Sequence, residues 1–154
     1  MNFSCNGTEI DIQYLNDNCK LSKGSKGALA FDARANITEP IVLKAGMICT
    51  VPLGFKVDTK EESLGLFLFN RSGLSCGNGL MIMNCVGIID SDYRGEVVAK
   101  IWNTGTCNEE FVINPYDRVV QVAFMRAERV VLNEDCVLTD TERGAGGFNS
   151  TGVK

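Results

Sequence analysis

The sequence predicts an all-β subunit, a barrel or a two-sheet jelly roll, and three observations carry that prediction. Apolar residues come in short runs rich in Val, Ile and Phe. Turn-forming clusters separate those runs: SKGSKG, GNG, SDYRG, NTGT and NPYD. No long stretch spaces its apolar residues at i, i+3, i+4 and i+7, as an amphipathic helix requires. At 154 residues the chain is expected to form one domain with a real core.

Taken in order, EIDIQYL (Glu9 to Leu15) alternates polar and apolar residues and is predicted as the first strand. IVLKAGMICTVPLGFKV (Ile41 to Val57) is a strand region broken by Gly46, Pro52 and Gly54. LGLFLFN, LMIMNCVGIID, EVVAKIWN and VVQVAFMRAERVVL follow as apolar strands, the last running to Leu132. One short helical turn starts near Ser72. Trp102 and the phenylalanines at 67, 69 and 124 are assigned to the core. Residues 1–8 form an N-terminal arm, 9–140 the β domain, and 141–154 a glycine-rich, flexible segment where the alternation has stopped.

Composition excludes several functions. The net charge of −4 argues against a general affinity for nucleic acid or anionic lipid. No apolar run approaches a membrane span. The N-terminal MNFSCNGTEIDIQ lacks the basic stretch and apolar core of a secretory signal. Seven scattered cysteines, never spaced C-x-x-C, are expected as reduced thiols in the cytoplasm or another cell interior such as the nucleus. The five N-x-S/T sequons, at Asn2, Asn6, Asn36, Asn70 and Asn149, are then chance matches. Histidine is absent, which removes Ser-His and Cys-His nucleophiles and every His-ligated metal site. A general base must be Asp, Glu, Lys, Tyr or Cys.

Three segments could carry chemistry. NRSGLS (Asn70 to Ser75) sets an arginine and a hydroxyl before a glycine, a turn suited to a phosphate oxygen. NCVGIIDSDYRGE (Asn84 to Glu96) is expected to form a hairpin with an acidic tip, with Asp90 directly after the buried-looking pair Ile88-Ile89. Asp is favoured in turns for its own sake, but a carboxylate at the mouth of an apolar strand can also hold a water or a metal. RGAGGFNSTGVK closes the chain; Gly147 and Gly152 have P-loop spacing, yet Lys154 falls one residue late and no helix can follow. Arg143, Ser150, Thr151 and the glycine amides remain suitable phosphate ligands. Water attack on a polyphosphate, with Mg²⁺ neutralising charge and an aspartate as base, fits this set.

The order and spacing of these segments resemble the trimeric dUTP diphosphatases (dUTPases), from Gly27 to Gly152. ALAFDARA, NRSGLS, GIIDSDYRGE, YDRVVQ and RGAGGFNSTG are similar to the five family motifs in order. The resemblance implies a distorted jelly-roll or β-barrel subunit of the dUTPase type, and a homotrimer whose three active sites each draw on all three chains. It implies hydrolysis of dUTP to dUMP and diphosphate, which keeps uracil out of DNA and supplies dUMP for dTMP synthesis. Mg²⁺ would ride on the triphosphate, touched by Asp32 through water.

Carried over by motif, Asp90 activates the attacking water and Tyr93 packs under the deoxyribose, excluding a 2′-hydroxyl. Asn84 and the backbone of Gly87, Ile88 and Ile89 would read uracil. Arg71, Ser72 and Gly73 would hold phosphate, with Gln121 at the α-phosphate. Arg143, Ser150 and Thr151 would close over the outer phosphates, Asn149 is counted among the substrate-binding residues without an assigned contact, and Phe148 would stack on the base, making 141–154 a lid. Arg118 is assigned a structural role, bracing a neighbouring subunit rather than binding a ligand.

Four residues depart from the family pattern: Ala30 and Tyr116 where Gly is usual, Asn70 where Pro is usual, and Asn149 where Gly or Ser is commoner. Two other readings compete. A dCTP deaminase shares the fold, but its second motif usually runs R-S-S rather than Arg71-Ser72-Gly73. A regulatory protein on the same scaffold, acting through a protein partner, would be favoured by loss of Asp90 or of the tail, and both are present.

Overall fold

The structure, a computed structural model, describes residues 7–147. The described chain is built from strands β1 (Asp11–Tyr14), β2 (Phe31–Arg34), β3 (Ile41–Lys44), β4 (Ile48–Pro52), β5 (Phe55–Asp58) and β6 (Leu64–Asn70). A short helix α1 (Ser72–Asn78) follows, then β7 (Leu80–Ile82), β8 (Gly87–Ile89), β9 (Val98–Asn103), β10 (Glu110–Ile113) and β11 (Arg118–Arg126). A 3-10 turn spans Asp17–Cys19. The all-β prediction therefore holds, and the helix starts where Ser72 placed it. Gly79, left-handed at φ 68°, ends that helix.

All strand pairings are antiparallel. A four-stranded sheet runs β2-β11-β6-β8 and a three-stranded sheet runs β4-β9-β7. Two strand pairs, β1-β5 and β10-β3, complete the jelly-roll-type arrangement. The period-two alternation of β6 sends Leu64, Leu66 and Leu68 inward. Leu66 and Leu68 meet Ala33, Val120 and Val122 of their own sheet, and Val51, Ile82, Ala99 and Ile101 of the other, in one cluster. The core thus lies between the two larger sheets.

Three expectations are corrected. First, β11 ends at Arg126 rather than Leu132, because its partner β6 begins at Leu64, opposite Arg126. Without a ladder the following residues take no regular structure and stay exposed, Val131 at 98%. Second, Phe67 and Phe69 are not core. They sit half-buried on the outer face of β6, Phe67 opposite Ile88 of β8 and Phe69 opposite Gln121 of β11. Trp102 likewise lies on the outer face of β9, between Ile48 and Met81. Phe124 does pack against the core. Third, the strands flanking DSDYRG do not pair with each other. β8 joins β6 and β9 joins β4 and β7, so residues 90–97 form a loop that crosses between sheets.

Candidate active site

The phosphate-suited turn begins where β6 runs out. Asn70 ends the strand, and its Oδ1 accepts from the Ile82 backbone N–H at 2.7 Å, tying β6 to β7. Arg71 is the N-cap of α1, and Ser72 and Gly73 are its first, exposed residues. Their N–H groups belong to the opening turn that has no intrahelical acceptor. The guanidinium of Arg71 is anchored: Nε donates to Asp32 Oδ1 at 3.1 Å and Nη1 to the Arg118 carbonyl at 2.6 Å. Asp32, 6% exposed, also accepts on Oδ2 from Arg118 Nη1 at 3.2 Å. Arg118 is a brace within its own chain. Gln121 lies directly opposite Asp32 across the β11–β2 ladder, which puts both side chains on one face. Arg71 and Arg118 border a cavity of about 260 Å³ floored by Leu74, Leu80, Ile101 and Phe111.

The second group surrounds β8. Asn84 sits in the exposed turn after β7, next to Cys85, which adopts a left-handed φ of 62°. Gly87 is buried, and a Cβ there would lie 3.1 Å from Leu68 Cβ. Asn84, Gly87, Ile88 and Ile89 line a second cavity of about 260 Å³ between β8 and β9. Ile88-Ile89 is not a buried pair: Ile88 is 62% exposed on the outer face, and only Ile89 turns to the core. Asp90 follows, exposed, on the far side of β8. It shares a wider cavity of about 500 Å³ with Ser91, Asp92, Phe67 and Arg129.

Tyr93 closes a turn onto Asp90, its N–H donating to the Asp90 carbonyl at 3.1 Å. Its ring lies over Gly95, where a Cβ would collide with the ring carbons and the hydroxyl. The hydroxyl donates to the Glu96 carbonyl at 3.0 Å. Of the three acids clustered in sequence, Glu96 is withdrawn: Oε1 accepts from Asn36 Nδ2 at 3.0 Å and from the Gly54 N–H at 2.9 Å. The sequon at Asn36 therefore has its amide nitrogen engaged.

Arg71, Asp32, Arg118 and Gln121 are brought together, as are Asn84 to Tyr93, but Arg71 and Asp90 border different cavities. Arg143 is exposed in a turn, Nε donating to the Gly146 carbonyl at 2.9 Å. Phe148, Asn149, Ser150 and Thr151 lie outside the described residues. The six described cysteines are free thiols. Burial pushes the Cys19 and Cys49 thiols up from their ordinary value.

For a metal, the described residues hold no group of three His, Cys, Asp or Glu side chains poised as ligands. Mg²⁺ characteristically keeps waters and takes substrate phosphate oxygens. One carboxylate beside the phosphate turn fits that habit. Each Asp32 oxygen, having accepted one guanidinium N–H, retains a lone pair for a water.

The sequence model of the dUTPase family matches residues 19–152. The chain belongs to the dUTPase family. The deoxyuridine 5′-triphosphate nucleotidohydrolase of Hahella chejuensis is 38% identical over 128 residues, 83% of either chain. That of Desulfitobacterium hafniense is 38% identical over 130 residues, 82% of this chain and 83% of its own. The crystal structure of the Streptococcus mutans dUTPase superposes with a TM-score of 0.68 at 28% identity, over 79% of this chain and 98% of that one. A Staphylococcus bacteriophage 80alpha dUTPase structure with dUpNHpp gives 0.82 at 20% identity, over 96% and 100%, a likeness of fold.

Within the dUTPase motifs, three departures acquire a structural account. Ala30 is not among the residues at positive φ, so its methyl is tolerated. Asn70 replaces proline's rigidity with a hydrogen bond to the next strand. Tyr116 stands at φ 64°, the left-handed conformation in which glycine is at ease. Neighbours hold it there: its N–H donates to the Ala35 carbonyl at 2.9 Å, and its carbonyl accepts from Arg34 Nη1 at 3.0 Å.

Proposed function

We propose that the chain hydrolyses dUTP to dUMP and diphosphate by attack of a water on the α-phosphate, with Asp90 as the base. The observation that carries this is the placement of Asp90 directly after β8, one residue beyond the wall of the cavity lined by Asn84, Gly87, Ile88 and Ile89. Asn84 and the backbone of Gly87, Ile88 and Ile89 read the base edge; a swapped donor and acceptor, as in cytosine, leaves groups unpaired. Tyr93 stacks against the deoxyribose. Asp90 orients the water and takes its proton, a task that needs placement more than an altered acidity.

Arg71, Ser72 and Gly73 hold the phosphates, Gln121 contacts the α-phosphate, and the arginine stabilises charge as diphosphate leaves. Mg²⁺ on the triphosphate supplies further neutralisation when bound, with Asp32 reaching it through water. Arg143 and residues 148–151 act as a lid over base and outer phosphates.

We further read the unit as a homotrimer with shared sites. Two observations support this: Arg71 and Asp90 face different cavities, and the segment after β11 exposes Val130, Val131, Leu132, Val137 and Leu138, which a second copy can cover. Among the described residues no helix is long and apolar enough to cross a membrane. The free thiols suit a reducing cell interior.

The test is diphosphate release from dUTP, dTTP, dCTP and UTP, with ammonia measured alongside and Asp90→Asn as control. Only dUTP should turn over well, without ammonia, and the variant should be nearly inactive. Comparable activity on dTTP, ammonia from dCTP, or a fully active variant contradicts the reading.

A further inference from the structure

We propose that Glu96 is the positioning residue for Tyr93, and that its clamp on Asn36 and Gly54 sets the discrimination between deoxyribo- and ribonucleotides. The inference rests on the reading of Tyr93 as the sugar-facing residue.

The loop 90–97 leaves one sheet and enters the other, so no strand ladder fixes its middle. Its other side-chain ties are exposed. Ser91 Oγ donates to the Glu62 carbonyl at 3.4 Å, and Arg94 pairs with Asp58 at 2.9 Å in water, where such pairs hold weakly. The tie at Glu96 is different. It is partly buried, and one carboxylate oxygen takes two donors. Hydrogen bonds to an ionised acceptor are the stronger kind.

Both donors are themselves fixed. Asn36 donates its backbone N–H to the Pro52 carbonyl at 2.8 Å, and its Oδ1 accepts from Asn16 Nδ2 at 3.0 Å, which turns its amide nitrogen toward Glu96. Gly54 stands at φ 75°, and a Cβ there would lie 2.6 Å from Cys19 Cβ, so only glycine offers its N–H from this place. The next residue is locked as well: the Val97 N–H donates to the Phe55 carbonyl at 2.9 Å.

The link from clamp to ring is direct. Tyr93 donates its hydroxyl proton to the backbone carbonyl of Glu96 itself, and its ring rests on Gly95, the residue before. Holding the Glu96 side chain therefore holds the platform on which the ring stands. Released, the segment keeps its local turn and the Val97 backbone bonds to Phe55 and Leu53, but the residues ahead of Val97, with the ring they carry, lose their side-chain anchor to Asn36 and Gly54. A ring displaced by a fraction of its thickness no longer excludes a 2′-hydroxyl, while the base cavity and Asp90 stay in place.

The experiment measures kcat/KM for dUTP and for UTP with wild type, Tyr93→Ala, Glu96→Ala and Glu96→Gln. The readout is the ratio of the two values, which a loss of folded protein cannot change. Tyr93→Ala should collapse the ratio. Glu96→Ala should lower it at least about tenfold, chiefly through faster UTP turnover, whereas Glu96→Gln, which keeps the acceptor oxygen, should stay within about twofold. If Glu96→Ala does not fold, Asn36→Ala decides, with a smaller fall expected. A wild-type ratio in Glu96→Ala, or in Asn36→Ala as its substitute, beside a collapsed Tyr93→Ala overturns the proposal alone. An unchanged ratio in Tyr93→Ala overturns the sugar reading and the proposal with it.

Discussion

Tyr116 shows at the residue scale how a departure from a family pattern becomes a physical quantity. A side chain at φ 64° carries the clash that L residues meet in the left-handed region, about 1–2 kcal/mol. Glycine would remove that clash but add about 0.4–1 kcal/mol of unfolded-chain freedom. Tyr116→Gly is therefore expected to raise stability by roughly 0–1.6 kcal/mol, a melting-temperature gain of up to about 6 °C. A clear fall would mean that the tyrosine ring contributes more through packing than its backbone loses. Asn70 illustrates the opposite case, a departure that brings its own compensation, a bond to Ile82. Neither outcome was legible in the sequence, since φ and a partner twelve residues away are properties of the folded chain.

At the element scale, the exit of β11 is governed by charge. Arg126 pairs with Glu61 and Arg129 with Glu62, while the Ala127 N–H donates to the Ser63 carbonyl at 2.9 Å. The hydrogen bond from Arg126 holds the Glu61 carboxyl below its ordinary 4.5. A depressed folded value means the contribution is present above the unfolded value and is lost as pH falls through the folded one. The deficit in melting temperature of Glu61→Gln should thus be seen near neutral pH and shrink below about pH 4. An equal deficit at both would place its origin in packing rather than in charge.

The strands themselves were legible because alternation with period two survives in β1, β6 and β9. What misled was pairing and sidedness. The runs around DSDYRG look like two arms of a hairpin, but pairing is decided by non-local neighbours, and each arm joins a different sheet. Phe67, Phe69 and Trp102 look like core because both faces of their strands are apolar; sequence alone cannot say which face turns inward. The Glu96 clamp escaped notice for a related reason: its partners lie sixty and forty-two residues away, at Asn36 and Gly54.

At the scale of the whole molecule, one chain holds the two groups of candidate site residues apart. Arg71, Asp32 and Gln121 gather at the start of α1, and Asn84 to Tyr93 gather around β8. The candidate residues were legible through motif order, but their separation on the subunit was not, because it follows from how the sheets cross. A closed assembly resolves this if Arg71 of one copy faces Asp90 of the next. The direct measurement is complementation. Arg71→Ala and Asp90→Asn are each prepared as inactive proteins, then unfolded together in equal amounts and reassembled. Random mixing restores about a quarter of the wild-type dUTP hydrolysis if each site takes these two residues from different chains, since each chain supplies an intact partner half the time. Activity no higher than that of the two parents would contradict the shared site and return catalysis to a single chain.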